Sequence, residues 1–158
     1  MAKQYKIYLD VCCLNRPFDD WGQPRIRLEA EAVIAILDRC QIGDWLMVTS
    51  TALVSEISQT PETIRKQQVM DFLAAAKIEM KVTLETIKRV GDLQELGFKS
   101  FDALHIACAE AAKVDALITT DDRLLRKATT HADRLDVRVQ NPLTWIMETN
   151  TQLEGESE

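Results

Sequence analysis

Asp10 stands where an apolar run stops. The stretch KIYLDVCCLNRPFDD begins as a buried strand, and the first charge after that strand is a carboxylate. Further acids follow similar signals. Glu56 sits on a short helix reached from the apolar run Trp45–Val48 through Thr49-Ser50-Thr51. Asp102 falls in the first turn of a helix starting at Ser100, and Asp121 and Asp122 follow the run Ala116-Leu117-Ile118. Carboxylates gathered at one place repel and resist ionising unless positive charge sits among them. A divalent cation supplies that charge, and oxygen-only donors suit Mg²⁺ or Mn²⁺ rather than zinc. Mg²⁺ takes one or two carboxylates directly, and the others hold its waters. Such a site lowers the pKa of a bound water, orients it and offsets charge on a phosphate, so the chemistry indicated is phosphodiester hydrolysis.

Each acid also has a plainer explanation. Asp102 at a helix N-terminus is worth about 0.3–1 kcal/mol without any catalytic role. Asp121 or Asp122 can cap the helix that follows, and Glu56 can be an exposed helical glutamate. Asp10 is the hardest to explain this way, because it follows a buried strand with no evident partner.

The elements that must position these residues are legible in outline. Strands are expected at Tyr5–Leu9, Trp45–Val48, Ile78–Leu84, Asp115–Thr119 and Val137–Val139. Helices are expected at Arg25–Cys40, around Leu53–Ile57, from Pro61 to about Ala76, at Glu85–Leu96, Ser100–Lys113, Leu124–Ala128 and Pro142–Glu148. Thr60 reads as an N-cap before Pro61, and Ser100 as the N-cap of its helix. The turn-rich segment Leu14–Pro24 reads as a loop. Strands alternating with helices imply one three-layer α/β/α domain over 1–148, with a central, mainly parallel sheet. Ligands of such sheets lie beyond the carboxyl ends of the strands, where these acids fall. The polar, acidic residues 149–158 are expected to be a disordered tail.

Composition narrows the classes. The chain has 158 residues, 46% hydrophobic and 28% charged, with a net charge of −6, which is globular and argues against a large nonspecific nucleic-acid surface. No run reaches the roughly 20 apolar residues of a membrane span. The opening MAKQYK has no signal-peptide character, so a cytoplasmic protein is expected, with Cys12, Cys13, Cys40 and Cys108 as reduced thiols. A haloacid-dehalogenase-like phosphatase needs a second Asp two residues after the first, and position 12 is Cys. No GxGxxG or P-loop follows the first strand.

The motifs resemble those of PIN-domain proteins, including the VapC-type ribonuclease toxins of bacterial toxin–antitoxin modules. IYLDVCCLNRPFDD is similar to their first strand and loop, and TSTALVSEI to their second acidic motif. SFDALHIACAEAAKVDALITTDDRLL resembles the third and fourth and is the most specific part. The likeness extends over roughly residues 5–145. It implies a metal-dependent endoribonuclease with Asp10, Glu56, Asp102 and Asp121 as its four acids and Asp122 as an extra acid able to substitute. It also implies Mg²⁺ or Mn²⁺, an RNA substrate, a small antitoxin partner lying across the acidic groove, and a homodimer. The alternative is a PIN fold that binds RNA or protein with little or no cleavage. That alternative draws on one departure. Many PIN domains carry Ser, Thr or Asn within two residues after the first acid, and here Val11 and Cys12 stand there. A thiol is a poor partner for a hard cation, which leaves Asn15 as the substitute.

Other residues carry less. Arg16, Arg25 and Arg27 are candidate phosphate contacts, with Arg16 and Asn15 nearest the first acid. Asp19 and Asp20 fit turn chemistry. His105, three residues after Asp102 on the same helical face, could act as a general acid, though such a histidine is more often structural. Cys12 as a nucleophile lacks an identifiable base in His105 or His131.

Overall fold

The structure is a computed structural model that describes residues 3–156. Five strands, β1 (Lys6–Leu9), β2 (Leu46–Ser50), β3 (Ile78–Met80), β4 (Ala116–Ile118) and β5 (Arg138–Gln140), form one sheet in the order β3-β2-β1-β4-β5. Every pairing is parallel. The strands are short, and the central ones, β1, β2 and β4, are mostly apolar and buried because a parallel sheet is covered on both faces. Ile7, Tyr8, Met47, Val48, Leu117 and Ile118 are all at most 1% exposed, and each such aliphatic or aromatic side chain contributes about 1.5–3 kcal/mol by leaving water.

Eight helices connect and cover the sheet: α1 (Val11–Asn15), α2 (Pro24–Gln41), α3 (Thr51–Ser58), α4 (Thr63–Leu73), α5 (Leu84–Glu95), α6 (Ser100–Ala111), α7 (Asp122–Thr130) and α8 (Pro142–Glu156). The pairs α2–α8 and α5–α6 pack together, and α6 also touches β2, β4 and α3. Sequence order reverses at β1, which has β2 on one side and β4 on the other. That reversal opens a crevice beyond the carboxyl ends of β1 and β4. Gly97 ends α5 at φ +103, a left-handed conformation that glycine adopts without a Cβ penalty.

The boundaries differ from expectation in informative places. The expected loop at 14–24 begins with α1 and a 3₁₀ turn at Arg16–Phe18. Asp10 is the reason, since its carboxylate accepts from Val11 N–H at 2.6 Å and starts the helix at once. The strand expected over 78–84 stops at Met80, because Thr83 and Thr86 form a reciprocal capping box that starts α5. Helix α4 starts at Thr63 after Glu62, while Thr60 N–H still donates to Ile57 O at the end of α3. Ser100 is the first residue of α6 instead of its cap, and its hydroxyl accepts from Gln94. The last helix continues to Glu156, eight residues past its expected end, so 149–156 are helical where a disordered tail was expected. Polar composition alone does not stop a helix. No Gly or Pro intervenes before Gly155, and the Thr149 hydroxyl is buried, donating to Trp145 O and Ile146 O. Residues 157 and 158 of the expected tail lie outside the described residues.

Candidate active site

Asp10 is the most constrained of the acids. Its backbone N–H donates to Ile118 O at 3.0 Å, as if to extend the β1–β4 ladder by one residue. The side chain is 7% exposed. One carboxylate oxygen accepts from Val11 N–H, and the other accepts from the Thr119 hydroxyl at 2.9 Å and the Cys12 thiol at 3.4 Å. A buried carboxylate is tolerable when its oxygens are satisfied this way. Cys12, two residues after Asp10, supplies one of these three donors. Its sulfur also accepts from Thr120 N–H at 3.4 Å, which ties the end of β1 to the end of β4.

Thr119 links two of the acids. Its hydroxyl donates to Asp10 and accepts from Asp121 N–H at 3.1 Å. Asp121 is also the N-cap of α7, one carboxylate oxygen accepting from Arg123 N–H and Leu124 N–H. Capping and membership of the acid group thus coexist, because the cap occupies only one of the two oxygens.

Asp102 enters from the first turn of α6. Burial, then the negative charges of Asp10 and Asp121, push its pKa up from 3.8 to about 6. Among the described residues no hydrogen bond or ion pair reaches its carboxylate. Glu56 enters from α3, which is started by the Ser50 hydroxyl accepting from Leu53 N–H at 3.0 Å. Its Oε1 lies 3.3 Å from Nε2 of His105. Ligating atoms of Asp10, Glu56 and His105 all fall within 4.8 Å of one another. His105, one turn along α6 from Asp102, therefore belongs to the site, where the sequence favoured a structural role. The spacing Asp102-x-x-His105 was the available signal, since residues three apart share a helical face.

Asp122, Arg16 and Asn15 are engaged elsewhere. Arg25 grips Asp122 with two hydrogen bonds of 2.8 and 2.7 Å, and those bonds hold the Asp122 carboxyl below its ordinary range. Arg25 also reaches Glu29 at 3.4 Å, which is 2% exposed and pairs with Arg16 at 3.0 Å. Asn141 donates to the same Glu29 at 2.5 Å. Arg16 and Arg65 both meet Asp19, at 3.1 and 3.5 Å. Asn15 spans two helices, donating to Val11 O at 3.0 Å and accepting from Arg65 at 3.3 Å. Its amide holds the first loop together instead of supplementing Asp10.

A groove of about 550 Å³ runs along β5 and the 3₁₀ turn Ala132–Arg134, and none of Asp10, Glu56, Asp102 or Asp121 lines it. The acids instead sit at the strand-end crevice. No membrane-length apolar helix is found among the described residues.

The architecture has solved counterparts. A chain of the crystal structure of VapBC2 from Rickettsia felis bound to a DNA fragment from their promoter matches with a TM-score of 0.53 and 15% identity, over 86% of this chain and 98% of that one. A chain of the VapBC-1 structure from nontypeable Haemophilus influenzae matches with a TM-score of 0.52 and 14% identity, over 87% of this chain and 98% of that one. At such identities the likeness is one of fold, and it is the PIN-like α/β/α fold that the motifs imply. No protein-family model matches the chain, and no curated protein matches its sequence.

Proposed function

We propose that the chain is a divalent-cation-dependent endoribonuclease, the toxin of a toxin–antitoxin pair, with Asp10, Glu56, Asp102 and Asp121 as its working acids. One observation carries the reading. Asp10 and Glu56 offer oxygens within 4.8 Å of each other, the charges of Asp10 and Asp121 act on Asp102, and among the described residues no lysine or arginine forms an ion pair with any of the four. Uncompensated carboxylates at that place are what a cation site requires and what a purely structural site avoids. The donor set fits Mg²⁺ or Mn²⁺, since each acid offers a hard oxygen and no thiolate or second imidazole competes. The fold likeness to the VapBC chains supports the toxin reading and an antitoxin as partner.

In this mechanism Asp10 is the fixed point, held by Val11 N–H and Thr119. Asp102 and Asp121 complete the group and would hold the cation directly or through its waters. A bound cation would supply a more acidic water and an electrostatic partner for the phosphate. Glu56, at the rim of the group, would help hold the cation through one of its waters, and its carboxylate orients the attacking water and accepts its proton. Direct attack by water on phosphorus, with the P–O3′ bond breaking and the departing 3′-oxygen taking a proton from solvent, leaves a 5′-phosphate and a 3′-hydroxyl, and a 2′,3′-cyclic phosphate product would overturn this mechanism.

The test is a Mn²⁺-soaked crystal read by anomalous scattering, for wild type and Asp102→Asn, together with cleavage of end-labelled RNA. A peak among the four acids, weakened in the variant, and cleavage abolished by EDTA are expected. No peak at millimolar Mn²⁺ and no cleavage of diverse RNAs would overturn the nuclease reading in favour of a non-cleaving binding module, which the weak Cys12 donor at Asp10 favours. Co-purification with a small DNA-binding protein that blocks cleavage is the expected sign of an antitoxin. A homodimer is expected by sedimentation.

A further inference from the structure

Behind Glu56 runs a file of buried polar side chains that the acid cluster does not explain. Leu53 N–H donates to Ser50 Oγ at 3.0 Å. Ser50 Oγ lies 2.6 Å from the Tyr8 hydroxyl, which lies 2.7 Å from Nδ1 of His105. Nε2 of the same ring meets Glu56 Oε1 at 3.3 Å. Ser50 and Tyr8 are 0% exposed and His105 2%, so each of these groups must find its partner inside the protein.

With a neutral imidazole, one assignment of the protons satisfies every member. Ser50 accepts from the backbone and donates to Tyr8, Tyr8 donates to Nδ1, and Nε2 donates to the Glu56 carboxylate. In the reverse chain Nδ1 donates to Tyr8, and a bare Nε2 lone pair faces the carboxylate. Two acceptors then oppose each other at hydrogen-bond distance, which is repulsive.

We infer that Tyr8 is a positioning residue which, braced by Ser50, holds His105 so that Nε2–H fixes Glu56 beside Asp10. His105 thus acts as a donor to a metal-binding carboxylate and not as a ligand itself. The inference rests on the cation site proposed above. It gives the four-membered acid group a rigid support that spans β1, β2, α3 and α6. Loss of such outer partners of a metal site lowers metal affinity by roughly 10–100-fold.

The test combines nitrogen NMR of the His105 ring in the Mg²⁺-loaded protein with Mn²⁺ titration of wild type, Tyr8→Phe, His105→Gln and His105→Leu. Nε2 is expected to keep its proton with Mg²⁺ bound. Tyr8→Phe should weaken Mn²⁺ binding roughly tenfold, with its melting transition still cooperative. His105→Gln, whose amide can still donate to Glu56, should bind Mn²⁺ more tightly than His105→Leu. A deprotonated Nε2 in the Mg²⁺-loaded protein would make His105 a ligand and overturn the inference. So would a folded Tyr8→Phe with wild-type Mn²⁺ affinity, or equal affinities of the Gln and Leu variants. If Tyr8→Phe fails to fold, the Gln and Leu pair and the ring nitrogens decide. A wild type that binds no Mn²⁺ would overturn the cation site itself, whereas normal wild-type binding with an indifferent Tyr8→Phe would overturn only this inference.

Discussion

Two groups of acids lie side by side at the carboxyl end of the sheet, and they are built on opposite rules. In the first-loop network every carboxylate has a guanidinium: Asp122 has Arg25, Glu29 has Arg16 and Arg25, and Asp19 has Arg16 and Arg65. In the strand-end group, Asp10, Glu56, Asp102 and Asp121 have hydroxyls, a thiol, backbone N–H groups and an imidazole, but no arginine or lysine pair. Adjacent in sequence, Asp121 and Asp122 fall on opposite sides of this divide. Paired acids hold the loop and helix α2 against α7, while the unpaired acids are the ones the proposed cation would pair. On the proposed function, net acidity and nucleic-acid chemistry are compatible, since a site with uncompensated carboxylates needs a cation before it can approach phosphate.

The largest effect is expected at the unpaired acids. Asp10→Asn and Asp102→Asn should each lower RNA cleavage about a thousandfold, equivalent to ~4 kcal/mol of barrier, and gel assays on end-labelled RNA measure it. Full activity in either variant would mean that the bare acids are not the site. Next comes the buried acid of the paired network. Glu29→Ala leaves Arg16 and Arg25 facing each other without their shared carboxylate, and should cost ~3 kcal/mol of stability by chemical denaturation. Its cleavage per folded molecule should stay within severalfold of wild type, and a folded but inactive variant would erase the distinction between the groups.

A pH effect is smaller and has a definite sign. Asp102 titrates near 3.8 when unconstrained and at about 6 in the folded chain. The folded protein binds that proton more tightly, so this contribution to stability is complete below about pH 4 and is lost as pH rises through 6. In EDTA, Asp102→Asn should therefore melt higher than wild type at pH 8 and lose that advantage at pH 4. Added Mn²⁺ should raise the wild-type melting temperature at pH 8. Identical melting curves for the two proteins at both pH values would show that Asp102 is not strained by its neighbours. The smallest effect is expected at Asp122. Exposed ion pairs contribute little, so Asp122→Asn should leave both the melting temperature and Mn²⁺ affinity nearly unchanged. A clear loss of Mn²⁺ affinity would instead make Asp122 the substitute acid that the sequence allowed.

What the chain determined by itself is the sheet and the acids at its strand ends. Short apolar runs alternating with helical periodicity are local signals, and in a parallel sheet the residue after each strand lies at the ligand end whatever the details of packing. Asp10 after Leu9 and Asp121 after Thr119 could therefore be singled out without coordinates, and Asp102 by its place in the first turn of a helix. Only the tertiary structure decided which acids stay unpaired and what supports them. Arg25 meets Asp122, and Tyr8 meets His105, each across 97 positions of chain. Hydrogen-bond and ion-pair partners at that separation depend on helix placement within a fraction of an ångström to a few ångströms, which local pattern does not specify. For the same reason Asn15 and Arg16 read as site residues by position alone, although α4 and α2 take them up. His105 read as a structural histidine until β1 brought Tyr8 beneath it and α3 brought Glu56 above.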